Sequence, residues 1–203
     1  MKTLTLSLTI LIGALYSCNA MKPSAQDTLV LLNPSDTITK NITQEPKKPI
    51  YFKNGNGVLK GNLNEGAIMS DLSWAWSSNN ACFVEPQKKK FTGNHVLYYT
   101  DLPAYSEMEV TVIPKDPNAN FSIYAYQVGT VKEGKIVPNL NSCTRCEADF
   151  KWDYKKRGKT QDHTRTVTDL LAIANPFQVV IGVVGADGLT EGDYELHIKL
   201  KTR

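Results

Sequence analysis

Two stretches of strict period-two alternation leave this chain little freedom of fold class. In residues 107–113, Met108, Val110 and Val112 alternate with Glu107, Glu109 and Thr111; in residues 194–201, Tyr194, Leu196, Ile198 and Leu200 alternate with Glu195, His197, Lys199 and Lys201. Successive side chains of a strand point to opposite faces, so each stretch predicts a strand with one buried and one wet face. His197 points to solvent on this reading. Residues 177–184, Phe-Gln-Val-Val-Ile-Gly-Val-Val, are apolar on nearly both faces, as a central strand covered on both sides must be. Further β-prone runs at 58–63, 95–100, 121–128 and 167–172 are separated by turn-rich segments, and no long helical period competes with them. Seven or so short strands predict an all-β antiparallel β-sandwich, jelly-roll-like in arrangement.

Turn chemistry suggests which strands adjoin. Asp187-Gly188 and Glu191-Gly192, between the runs 177–184 and 194–200, tolerate positive φ and predict a final hairpin. Pro114, Asp116, Pro117 and Asn118 likewise link residues 108–113 to 121–128, which predicts that these two strands are neighbours as well.

The N-terminus reads differently. An apolar run from Leu4 to Leu15 is too short to span a bilayer, which needs about 20 apolar residues, but suits the h-region of a secretory signal. The Leu15-Tyr16-Ser17-Cys18 that follows resembles the bacterial lipobox, which implies that residues 1–17 are a leader and that Cys18 is acylated. Residues 18–49, with Pro23, Pro34, Pro46 and Pro49, read as an extended tether in which Leu29-Val30-Leu31-Leu32 can form an edge strand. The folded domain is expected at 50–203. With 23 Lys+Arg against 20 Asp+Glu, the chain lacks the positive charge of a nucleic-acid binder. The runs Lys88-Lys89-Lys90 and Lys155-Lys156-Arg157 read as solvated loops.

Three stretches carry a family likeness: Glu109 to Pro117, the strand Asn120-Phe121-Ser122-Ile123-Tyr124-Ala125-Tyr126, and the closing stretch from Gly185 to Leu196 with its Gly192-Asp193-Tyr194-Glu195-Leu196. Together, over residues 91–200, the chain resembles the bacterial pre-peptidase C-terminal (PPC-like) domain, in which an Asp-rich turn precedes an apolar-aromatic strand and a Gly-x-Tyr-x-Leu strand closes the fold. The resemblance implies a non-catalytic β-sandwich of an exported protein.

Several residues invite chemistry. With Cys18 acylated, Cys82, Cys143 and Cys146 remain, and an oxidising compartment favours a disulfide, either Cys143 to Cys146 or Cys82 to one of them. A redox centre at Cys143-Thr144-Arg145-Cys146 would want a helix N-terminus to lower a thiol pKa, and a zinc site would need His163 or His95 to complete it. His163 has Asp162, Arg165 and Asp169 close by in sequence, an environment that can hold an ionised imidazole. No Gly-x-Ser-x-Gly nucleophile motif is present. Asp187, Glu191 and Asp193 can gather around Ca²⁺, which takes oxygen ligands. Trp74, Trp76, Trp152 and Tyr154 suit sugar stacking, although Trp74 and Trp76, two apart in an expected strand, read as core. Two functional classes follow: a lipid-anchored, non-enzymatic module with a binding or scaffolding role at the cell envelope, toward an envelope protein or glycan, and an envelope hydrolase or thiol-redox enzyme using His163 or Cys143 and Cys146.

Overall fold

A computed structural model describes residues 47–53, 55–76, 85–132, 136–139, 145–149 and 162–203. Among these residues, ten strands form two sheets. They are β1 (Ile50–Tyr51), β2 (Gly57–Asn62), β3 (Ala67–Ile68), β4 (Asn94–Leu102), β5 (Ser106–Pro114), β6 (Phe121–Val128), β7 (Arg145–Glu147), β8 (Arg165–Ala172), β9 (Phe177–Gly185) and β10 (Asp193–Thr202). One sheet runs β1-β4-β9-β6-β7 with β3 also on β4, and the other runs β2-β10-β5-β8. All pairings are antiparallel except β1 with β4. Leaving out β1 and β3, this is the strand order of a jelly roll.

The expected alternation is present. Residues of β5 alternate between buried and half-buried from Ser106 to Pro114, and on β10 Tyr194, Leu196 and Ile198 are buried while His197 lies on the outer face with Glu195. Their inward residues meet Val96, Tyr98, Ile123, Ala125, Val179, Ile181 and Val183 of the facing sheet in one core. The β9 strand is buried on both sides, as its apolar run predicts, and its second face supports another core. There Val180 and Val184 pack with Leu97, Tyr124 and Tyr126 under Met69, Leu72, Trp74 and Phe91. Gly182 has a steric reason: a Cβ there would stand 2.1 Å from the Tyr124 ring, which crosses the strand at that point.

Three expectations fail. β9 and β10 do not form a hairpin, because they belong to different sheets. The carbonyls of the connecting loop are taken by other segments: Gly93 N donates to Gly185 O at 2.8 Å, Asn94 N to Leu189 O at 3.0 Å and Leu63 N to Gly192 O at 3.0 Å. These bonds carry the chain across the sandwich edge, so the apolar faces of β9 and β10 oppose each other through the core. For the same reason β5 and β6 are not neighbours; their connection also crosses between sheets. Third, Trp74 and Trp76 lie in one helical turn, α1 (Ser73–Trp76), and not in a strand. Asp71 Oδ1 accepts from Ser73 N at 2.8 Å to start that turn, and buried Trp74 donates its indole N–H to Met69 Sδ at 3.1 Å. Among the described residues, no helix is long and apolar enough to cross a membrane.

Candidate functional site

At one end of the sandwich the loops 62–66, 91–94, 115–120, 148–149, 162–164 and 186–192 converge, and they bring together His163, Asp187 and Glu191, with Asp193 at the start of β10. Two features lie there, a closed ionic cluster and an open cleft.

The cluster holds His163. Arg165, buried at the start of β8, donates through Nε to Phe121 O at 3.2 Å and through Nη2 to His163 Nδ1 at 3.2 Å. A guanidinium only donates, so Nδ1 is the acceptor and the imidazole proton sits on Nε2. Burial, then the Arg165 charge, lowers the His163 pKa, and the opposing pull of Asp149 and Asp162 does not reverse it. His163 is thus not held as an ionised imidazole: Arg165 stands at the ring, while Asp162 Oδ1 accepts from Thr164 N at 3.0 Å and Asp169 accepts from Thr168 Oγ1. Lys90 closes the cluster, with Nζ 2.9 Å from Asp187 and 3.4 Å from Asp149, whose other oxygen lies 3.8 Å from Arg165 Nη2. Burial opposes the Lys90 charge, but the two carboxylates outweigh it and raise the ammonium pKa. Two cations and two carboxylates neutralise one another and bind the 85–91 turn, the end of β7, β8 and the 186–188 turn together. Among the described residues no hydroxyl or thiol is hydrogen-bonded to His163.

The cleft is open, about 520 Å³, and lined by Asn62, Asp116, Asn118, Glu191 and Asp193 with Leu189. Asp193 Oδ1 accepts from Asn62 Nδ2 at 2.7 Å and its Oδ2 lies 3.3 Å from Lys115 Nζ. The Asn62 amide, then Lys115, hold its carboxyl below the usual range. Asp116 Oδ1 accepts from the backbone and side-chain nitrogens of Asn118 at 2.9 and 3.0 Å. Glu191 is exposed at the rim. Of the three carboxylates weighed for Ca²⁺, Asp187 is committed to Lys90 and Asp193 to Asn62 and Lys115, while Glu191 stands at the rim. Among the described residues no three His, Cys, Asp or Glu side chains form a metal-binding group.

The remaining candidates are scattered. Cys146 is half-buried on β7 opposite Tyr124. It stands in extended backbone, without the helix dipole that activates a redox thiol. Cys18, Cys82, Cys143, Trp152, Tyr154 and Lys155 to Lys159 lie outside the described residues, as do the Leu29 to Leu32 strand and most of the tether. Trp74 is packed edge-on against Tyr124, ring centroids 4.9 Å apart, and presents no face to a sugar. His95, fully buried on β4, bonds Phe91 O through Nε2 at 3.0 Å and Tyr124 Oη through Nδ1 at 3.2 Å. The carbonyl can only accept, so His95 is neutral with its proton on Nε2, and burial takes its pKa down to about 4. Sequence reasoning missed Asn62, Asp116, Asn118 and Asp149 as members of this end. Only Asp116-Pro117-Asn118 carried a local signal, that of a turn.

No family model and no curated protein matches the chain. Solved structures do. The pre-peptidase C-terminal domain of a collagenase from Bacillus anthracis is 9% identical, with 77% of this chain and 99% of that one covered and a TM-score of 0.38. CorA, a surface-associated copper-binding protein of Methylomicrobium album BG8, is 9% identical over 77% of this chain and 99% of its own, with a TM-score of 0.42. PliG of Aeromonas hydrophila, a periplasmic inhibitor of g-type lysozyme, is 13% identical over 76% and 98%, with a TM-score of 0.35. The chain is similar to these proteins in fold, and what each of them binds or inhibits is a property of that protein.

Proposed function

We propose that this protein is an exported, lipid-anchored, non-catalytic module that binds a polar ligand, an envelope glycan or protein segment, at the bacterial cell surface or in the periplasm. The observation that carries the reading is the contrast at one loop end. The histidine most suited to catalysis is tied to Arg165 and kept neutral, while the neighbouring cleft stays open, with carboxylates and amides from three separate loops. Such groups hydrogen-bond hydroxyls and amines, and a binding site on loops held by a rigid sheet frame needs no further machinery. Cys18 supplies the anchor, through the lipobox-like sequence before it.

Two measurements test this. Cross-linking from intact envelopes should capture a glycan or protein with the wild type and lose it with Asp116→Ala/Glu191→Ala; capture unchanged by these substitutions removes the cleft from the proposal. Metabolic labelling with an alkyne fatty acid should mark the wild type and leave Cys18→Ala unlabelled, and equal labelling of both removes the anchor.

A further inference from the structure

A second cleft lies away from the loop end, where the described chain enters the domain. It is about 240 Å³ and lined by Lys48, Pro49, Tyr99, Val131, Lys132 and Ile136. Its floor is aromatic and aliphatic. Lys48 and Lys132, on segments 84 residues apart in the chain, both reach its lip and are exposed. Neither has an ion-pair partner among the described residues, and exposed Lys47 adjoins them. The Asp101 carboxylate on the neighbouring strand accepts instead from Tyr51 Oη at 2.5 Å and Gln178 Nε2 at 2.9 Å. Beside the cleft β1 exposes Tyr51, 45% accessible, its ring lying 4.9 Å from that of Tyr99.

Ammonium groups without an ion-pair partner among the described residues, above an apolar floor and flanked by an exposed tyrosine, match the layering of a bilayer surface, where phosphate lies outermost and hydrocarbon beneath. We propose that this edge is a docking face for anionic phospholipid, with Lys48 and Lys132 on headgroup phosphates and Tyr51 in the interfacial layer. Charge complementarity argues for this occupant, and so does position: the chain continues from Lys47 toward Cys18, so a domain held through its N-terminus has this edge on its tether side. The net charge of the whole chain is only +3, so attraction to a negative surface depends on local placement.

The inference deepens the envelope reading, yet its test does not depend on the acyl chain. The chain from residue 18 onward carrying Cys18→Ala keeps every described residue and has neither leader nor lipid. It should sediment with vesicles of phosphatidylglycerol and phosphatidylcholine, and should not sediment with phosphatidylcholine alone. A lysine near an anionic surface contributes about fivefold in affinity, so K48Q/K132Q should weaken binding roughly 25-fold. K60Q/K201Q, which removes the same charge from the outer face of the four-stranded sheet, should change it little. All four lysines are exposed, so the variants should denature like the parent. No binding by the parent, equal binding to neutral vesicles, or an equal loss in the two double variants overturns the proposal; each of these leaves the Cys18 labelling result untouched.

Discussion

The two faces of β9 meet two differently built cores. Toward the four-stranded sheet, Val179, Ile181 and Val183 meet alternating residues of β5 and β10 in a layer with few polar atoms, where the Tyr98 and Tyr194 hydroxyls pair at 2.8 Å. Toward the outside, Val180 and Val184 are covered by short turns and connections, with Trp74, Phe91 and Val137 contributing. That outer layer is held by directional bonds: His95 to Phe91 O, Trp74 to Met69 Sδ, and Val137 N to Tyr126 Oη at 3.2 Å. The difference has a physical origin. Two amphipathic sheets need only their period to pack together, whereas an aperiodic covering segment has no repeating face and is positioned by individual polar anchors.

Truncation of the inner core breaks this comparison most severely if it is wrong. Ile181→Ala should cost about 2 to 5 kcal/mol in chemical denaturation, as buried large-to-small changes do, and should lower protection from hydrogen exchange in both sheets. Trp74→Ala should instead release amides of the outer segments first and leave β5 and β10 protected. Equal loss of protection everywhere in both variants would mean that the two cores are one cooperative unit.

Acid should act on the outer layer through His95. Its pKa is about 4 in the fold against about 6.5 in an unfolded chain. Above the unfolded value the stabilisation is whole. As pH falls from about 6.5 to 4 the unfolded chain takes up a proton that the folded chain refuses, and about 3 kcal/mol is lost across that window. His163, also lowered, adds a loss of the same sign. Denaturation at stepped pH should therefore show a flatter profile for His95→Gln; an unchanged slope would place the acid sensitivity elsewhere.

A smaller effect sharpens the account of the inner core. Tyr194→Phe leaves the Tyr98 hydroxyl without its partner and should cost about 1 to 3 kcal/mol, while Tyr98→Phe/Tyr194→Phe should cost less than the two single changes added together. Additive losses would show that the pair is not coupled. Least of all, His197→Ala, on the outer face beside Glu195 at 3.0 Å, should stay within about 0.5 kcal/mol. A larger loss would mean that the exposed face of the four-stranded sheet has a packing partner.

What was legible in the sequence follows the same division. Alternation on β5 and β10 and the doubly apolar β9 correctly mark which side chains are buried, since burial is a local property of the pleat. Adjacency is not local. Asp187-Gly188 and Glu191-Gly192 permit a turn, but Gly93, Asn94 and Leu63 capture the loop carbonyls and send the chain to the other sheet, and no residue within the loop records that. Trp74 is in a core as its sequence setting suggests, but the strand expected at Trp74 and Trp76 is a helical turn, because four residues are too few to show a period. At the loop end, the partners of Asp187 and Asp193, namely Lys90 and Asn62, come from distant segments, so sequence spacing alone does not show that the fold spends these carboxylates on side-chain contacts.

The jelly-roll order has a consequence for how the chain is assembled. Strand β10 lies between β2 and β5 and hydrogen-bonds both, so β2 and β5 are not joined in one sheet until residues 193–202 are available. A ribosome or a secretion channel delivers the chain N-terminus first, which leaves β2 without its neighbour while more than a hundred residues emerge. Such non-local pairing slows folding and prolongs exposure of open strand edges. The C-terminal strand therefore acts as the keystone of the sandwich. A nascent chain stalled short of residue 193, or a product clipped there, would have an unfilled gap in one sheet, recognisable to quality-control proteases.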